Sequence, residues 1–286
     1  MRHRGRYLES VAIQIRTGGI YCTPGFICGS IIHIEMRIMQ KEFKIKSRGL
    51  YRADDRKPFK VSRSGIELFV ECACCFYLNN RLGIRRPSGP PFNINKAVDT
   101  LLKKEFDVHR AARTPHPYMK QYGIDAVPFQ HEMMDEWREN FKGIQYLHEP
   151  TNLTVTGAVD DIWVNKRGAL IVVDYKATSK NSEVNLEAEW QMGYKRQMEV
   201  YQWLLRGLGF EVALTGYFVY CNGKSDSEAF DGKIEFDVAL LPYEGNDEWI
   251  EETLVKLKKC LDKSAIPESS GECEFCGYAQ ARAALK

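Results

Sequence analysis

The sequence predicts an α/β fold: a mixed β-sheet flanked by helices, preceded by a helical part and clipped by cysteines near both ends. Three observations predict it. Apolar residues recur at helical spacing between about 61 and 141; β-rich runs start at Leu153 and return after a long helix; and C-x-x-C pairs stand at 72–75 and 273–276.

The elements follow in order. VSRSGIELFVECACCFYLNNRLG (61–83) reads as one helix, with Ser62 or Ser64 as N-cap and Ile66, Phe69, Val70, Phe76 and Tyr77 as its apolar stripe. Pro87, Gly89, Pro90 and Pro91 end it. A second helix runs from about Asn95 to Arg113, and a third lies near 131–141 beyond a proline-bearing loop. LTVTGAVDDIWV (153–164) and ALIVVDYKA (169–177) read as two strands of a hairpin around NKRG. A long helix from about Val184 to Leu208 stops at Gly209. Strands near 213–220 and 233–241 follow, then a helix from near Asn246 that ends before Pro267, then a cysteine-bearing tail.

At 286 residues and 44% hydrophobic, the chain can build one large domain or two small ones with a real core. Residues 1–38 fit no clean pattern and read as a poorly ordered extension, with Met39 an alternative start. Residues 39–60 read as a basic arm and 61–286 as a single domain. Net charge is only +2, so no global basic field advertises nucleic acid. Between Arg37 and Arg63, however, ten Lys or Arg face three Asp or Glu. That arm suits a phosphate backbone, or is a solvated leader. The stretch 18–34 is broken by Pro24 and several glycines and lacks the apolar core of a signal or membrane span. The expectation is a cytoplasmic protein with reduced thiols and no membrane contact, in which clustered cysteines bind metal. The six histidines form no ligand spacing.

The hairpin carries the chemistry. If Lys166-Arg167-Gly168 is a type I turn closed by a left-handed glycine, Asn165 pairs with Ala169 and Asp160 falls opposite Asp174. Opposed residues share a face, with Cβ atoms about 4.5–5.5 Å apart. Lys176, two residues on, shares that face too. Two opposed carboxylates need a proton or a cation between them, and Mg²⁺ takes a few carboxylates plus waters. The bland alternative is a solvated Asp–Lys pair on a surface hairpin. Asp161 points to the other face of a regular strand.

Gly157-Ala158-Val159-Asp160 followed by Asp174-Tyr175-Lys176 resembles the G-x-x-D and D-Y-K signature of the PD-(D/E)XK (restriction-endonuclease-like) nucleases, above all the RecB-like branch. The resemblance implies Asp160 and Asp174 as ligands of Mg²⁺ or Mn²⁺ and Lys176 as the catalytic lysine. Gln197-Met198-Glu199-Val200-Tyr201 matches the branch's Q-x-x-x-Y motif, which implies functional roles for Gln197 and Tyr201. Trp190 and Tyr194 continue the same helical stripe and read as ordinary core packing, although aromatics beside a metal site can also stack on bases. Where the branch carries G-x-x-x-H, this chain has Asn95 and Asp99; Asp99 is then a metal ligand in an all-oxygen set. The resemblance implies a metal-dependent deoxyribonuclease, an exonuclease on single-stranded DNA ends bound mainly through the backbone, serving recombination, repair or CRISPR adaptation. Helicase or CRISPR adaptation proteins are its implied partners. A catalytically inactive DNA-binding scaffold and an RNA nuclease are the alternatives.

The two C-x-x-C pairs offer four thiolates, Cys72, Cys75, Cys273 and Cys276, about 200 residues apart, with Cys74 a spare. The context S-x-S-x-I-x-x-F-x-x-C (62–72) resembles that of RecB-like nucleases of the AddB type and of a CRISPR-associated adaptation family. Those hold a 4Fe-4S cluster on one N-terminal and three C-terminal cysteines. Here the third C-terminal cysteine, near Arg282, is absent, and Cys75 stands in for it. A 4Fe-4S cluster is implied, with Zn²⁺ as the alternative.

Overall fold

The computed structural model describes residues 45–285 except Pro91. The expected extension 1–38 and the first residues of the basic arm lie outside the described residues. Residues 45–60 are built into the body: Tyr51 is buried in the main core, and Phe59 opens the first strand.

Among the described residues, eight strands form two mixed sheets. The smaller has the order β1 (Phe59–Ser62), β4 (Leu153–Gly157), β3 (Ile144–His148), with β1 parallel to β4. The larger runs β2 (Ala126–Pro128), β5 (Asp161–Asn165), β6 (Leu170–Thr178), β7 (Thr215–Gly223), β8 (Phe236–Glu244). In it only β6 and β7 run parallel. The helices are α1 (Arg63–Glu71), α2 (Ala73–Arg81), α3 (Asn93–Ala112), α4 (Pro117–Gln121), α5 (Met134–Trp137), α6 (Met192–Gly207), α7 (Glu248–Asp262) and α8 (Glu274–Ala284). The expected α/β class with helices around a mixed sheet is what folds, although the strands divide between two sheets.

Alternation along β6 explains the layers. Leu170 and Val172 face α6 and join Ile162, Met198 and Leu204 in the larger core. Ile171, Val173 and Tyr175 face α3 and join Leu102, Phe106 and Trp163 in the smaller one. The catalytic candidates Asp174 and Lys176 continue the α6 side.

Four expectations are corrected. The helix expected over 61–83 is strand β1 and two helices, broken at Cys72, whose extended backbone (φ −161°, ψ 108°) ends one helix and starts the next. The helix near 131–141 shrinks to the single turn of α5. The strand expected over 153–164 divides at Ala158–Asp160, so its halves serve different sheets. The helix from Val184 begins only at Met192, after a 3₁₀ turn at Glu189–Gln191. Asn185 accepts from Glu187 N–H, and the buried Gln191 amide donates to Asn185 O at 2.7 Å, which hold that turn out of the helix. The edge strands β1, β2 and β3 escape the sequence reading because each has five residues or fewer.

Candidate active site

The hairpin register is the one that places Asp160 against Asp174. Asp161 pairs with Val173 and Val164 with Leu170, and Asn165 N–H donates to Ala169 O at 3.1 Å. Gly168 closes the turn at φ +87°, a conformation that favours glycine. Asp160 lies just before β5, at the break between the sheets. Its Oδ2 accepts from Tyr175 N–H at 2.9 Å, taking the hydrogen bond that a ladder carbonyl would otherwise take. Gly157 has its own reason: a Cβ there would lie 2.6 Å from the Tyr201 ring.

Asp174 is fully buried, and neither of its oxygens accepts a well-formed hydrogen bond among the described residues. Its ion-pair partner is the Lys176 ammonium. Burial, with the Asp160 charge in support and Lys176 opposing, pushes its pKa up to about 6. Lys176 Nζ also donates to Gln197 Oε1 at 3.4 Å and sits 4.3 Å from the Tyr194 ring centroid. Gln197 Nε2 donates to the Tyr201 hydroxyl at 3.0 Å. Burial raises the buried Tyr201 to about 12, so it stays a neutral phenol. Asp174, Lys176, Gln197 and Tyr201 thus form one chain from β6 to α6. Trp190 departs from the core-packing expectation: it is 57% exposed, edge-on to Tyr194, with Lys180 Nζ 5.3 Å from its ring centroid.

Asp99 comes from α3, on the other side of the sheet. It meets Asp160 through Lys103, whose Nζ lies 2.9 Å from Asp99 Oδ1 and 3.4 Å from Asp160 Oδ1. Burial works against this ammonium, but Asp160 and Asp99 hold its pKa above the ordinary value. Burial and the Asp160 charge raise Asp99 in turn. Lys103 was missed in the sequence; the signal available was its i, i+4 relation to Asp99. Asn95 Nδ2 donates to Ala177 O at 2.8 Å and docks the start of α3 beside Lys176. The three aspartates do not close into a tight cage. Among the described residues, the four cysteines form the one group of three or more His, Cys, Asp or Glu side chains whose ligand atoms all lie within 4.8 Å. The Asp160–Asp174 pair nevertheless suits a hard cation, because it combines a half-buried carboxylate with a buried one whose partner among the described residues is the Lys176 ammonium alone.

Asp161 faces away, as its strand position implies. It is fully buried among Arg110 Nη2, Arg138 Nη2 (2.9 Å) and the Tyr175 hydroxyl (2.9 Å). Asp161→Asn would leave two largely buried guanidinium groups short of charge and should cost about 3 kcal/mol. In a chain of this size that is a fall in thermal midpoint of roughly 6–12 °C. Calorimetry checks this, with Mn²⁺ affinity expected to be unchanged. A variant of normal stability that lost Mn²⁺ would instead make Asp161 a ligand.

The second centre is built twice in the same way. Cys72 stands at the N-cap of α2 with Cys75 in its first turn, and Cys273 at the N-cap of α8 with Cys276 in its first turn. Helix N-termini favour thiolates. Burial pushes the Cys72 thiol up, but the backbone N–H groups of Cys75 and Ser270 and the neighbouring thiols outweigh it and bring Cys72 down to about 7. All four sulfurs are buried, and Sγ separations across the pairs are 3.8 Å (Cys72–Cys276), 3.6 Å (Cys75–Cys273) and 3.5 Å (Cys75–Cys276), too long for disulfides. Four thiolates at 2.3 Å around one tetrahedral Zn²⁺ would be about 3.8 Å apart. Ligands of a 4Fe-4S cluster radiate from four separate irons and need a wider cage. The four ligand atoms all lie within 4.8 Å of one another, a donor set that could hold a metal ion. Cys74 lies outside the set.

Residues 93–281 match the family model described as the PD-(D/E)XK nuclease superfamily. No curated protein matches. Among solved structures, one described as "Crystal structure of SSO0001" is 16% identical, with a TM-score of 0.40 over 80% of this chain and 87% of that one. No helix among the described residues is long and apolar enough to cross a membrane.

Proposed function

The chain belongs to the PD-(D/E)XK nuclease superfamily, and from that premise we propose that it hydrolyses phosphodiester bonds of DNA at the Asp160–Asp174–Lys176 site with Mg²⁺ or Mn²⁺. The observation that carries this is the buried Asp174 carboxylate, set against Asp160 and paired among the described residues with the Lys176 ammonium alone. A divalent ion bound there supplies positive charge to a phosphate oxygen and acidifies a nearby water. Asp160 and Asp174 would hold it, and Asp99, now bridged to Asp160 by Lys103, would be a further candidate ligand. Lys176 stabilises the negative charge that builds on the phosphate. Gln197, braced by Tyr201, fixes where that ammonium points.

Exposed Trp190, edge-on to Tyr194 and with Lys180 over its ring, supports single-stranded ends as the substrate, since an open aromatic face accepts an unpaired base. The test is Mn²⁺-dependent cleavage of labelled single-stranded DNA, duplex DNA and single-stranded RNA under reducing conditions. Cleavage of the single-stranded DNA alone supports the full reading. A duplex or RNA preference replaces the substrate, and no cleavage at all leaves a nucleic-acid-binding scaffold of the same fold.

Asp174 sets a pH dependence. Its raised pKa means that the folded, metal-free chain holds this proton more tightly than the unfolded chain does. Its contribution to metal-free stability therefore falls as pH climbs from 3.8 to about 6. The same proton must leave before an ion binds. Mn²⁺ affinity should rise about tenfold per pH unit up to about 6 and level off above it, as titration calorimetry would show. A flat profile across pH 5 to 7 would remove Asp174 from the ligand set.

The cysteine centre is proposed as a zinc staple. The short sulfur–sulfur separations support zinc over the 4Fe-4S cluster that the motif resemblance implies.

A further inference from the structure

A cleft of about 770 Å³ opens between α1, the end of β1 and the segment after α2. Five cations line it: Lys46, Lys60, Arg63, Arg85 and Arg86. Two carboxylates line it as well, and both are already committed, Glu67 to Arg196 and Glu71 to Arg86. Among the described residues, Lys46, Lys60, Arg63 and Arg85 take part in no ion pair. The Lys46 and Lys60 ammonium groups are steadied by backbone carbonyls, Gly49 O at 3.0 Å and Phe141 O at 3.1 Å, each keeping further N–H groups to donate. Arg63 Nε is buried without a partner.

The same wall carries Phe141, 90% exposed, so an aromatic face lies among the cations. Arg63 ties the cleft to the carboxylate site: it lines the cleft and lies near enough to Asp174 and Tyr201 for its charge to act on both. Four cations without an ion pair among the described residues, a bare aromatic ring and a lining arginine within reach of Asp174 are the elements of a groove that tracks a flexible polyanion and stacks its bases.

We infer that this cleft seats the backbone of a single-stranded nucleic acid just outside the scissile phosphate, with Lys60, Arg63 and Arg85 on its phosphates and Phe141 against a base. This deepens the nuclease reading and rests on it for the identity of the ligand. Three of the ten basic residues of segment 37–63, Lys46, Lys60 and Arg63, thereby acquire a place.

The test uses the full chain carrying Lys176→Ala, so that binding is read without cleavage. A fluorescein-labelled single-stranded oligonucleotide is titrated by anisotropy at several salt concentrations, in DNA and RNA arms. Adding Lys60→Ala and Arg85→Ala, both exposed positions, should weaken binding about tenfold and reduce the salt slope by about 1.4, two phosphates at about 0.7 each for single strands. Lys60→Arg with Arg85→Lys should restore both. Lys166→Ala with Arg167→Ala, at the hairpin tip, should change neither, and an unchanged thermal midpoint shows that the cleft variant is folded. A cleft variant with parental affinity and slope overturns the inference. Wild-type cleavage with Mn²⁺ separates the two readings. If it cuts while the cleft variant binds normally, the cleft fails and the nuclease stands. If it does not cut while the cleft variant loses binding, the nuclease fails and the cleft stands.

Discussion

Lys176→Ala should lower the rate of Mn²⁺-dependent DNA cleavage by about 10²–10³-fold, or roughly 3–4 kcal/mol of transition-state stabilisation. The loss should fall on kcat, because the ammonium matters most when charge accumulates on the phosphate. Mn²⁺ affinity should hold or rise, since Lys176 otherwise competes for the Asp174 carboxylate. Asp174→Asn should differ by losing affinity and cleavage together. Single-turnover kinetics and titration calorimetry on the two variants give both readouts. Wild-type cleavage by Lys176→Ala would show that the chemistry is elsewhere.

Purified under reducing conditions, the protein should contain one zinc per chain and no iron or sulfide. Cys276→Ser should release the zinc, whereas Cys74→Ser should keep it, because Cys74 lies outside the ligand cluster. The staple joins Cys75 to Cys273, 198 residues apart, and closing a loop of that length restricts the unfolded chain by about 5 kcal/mol in the chain-entropy treatment. Its loss should lower the thermal midpoint by roughly 10–20 °C. Elemental analysis and calorimetry check the two halves. Iron with sulfide and a visible charge-transfer band would restore the 4Fe-4S cluster that the sequence motif implies.

What could be read from the sequence was local. The register that sets Asp160 against Asp174 follows from a three-residue loop ending in Gly168, whose turn chemistry operates within five residues. The placement of Asp161 on the opposite face follows from the two-residue strand period alone. The family signature was legible for the same reason, as short motifs on adjacent elements. What escaped depends on contacts made at long range. Lys103 matters only because α3 ends up beside Asp160, 57 residues away. The break at Cys72 has no proline or glycine to announce it; it belongs to a cage whose other half lies in α8. Trp190 looked like a core residue because its spacing continued the α6 stripe, but the Asn185–Gln191 bonds hold it in a turn outside that helix.

The staple also imposes an order of assembly. α2 carries its two thiols out of the ribosome 198 residues before Cys273 appears. At a synthesis rate of about 5–20 residues per second, they wait roughly 10–40 seconds for their partners. During that interval Cys72 and Cys75, at the start of α2, form only half of the four-cysteine group. The 161–178 hairpin is therefore made while the thiols of Cys72 and Cys75 still lack Cys273 and Cys276, and the four-cysteine group closes only when the last helix is complete.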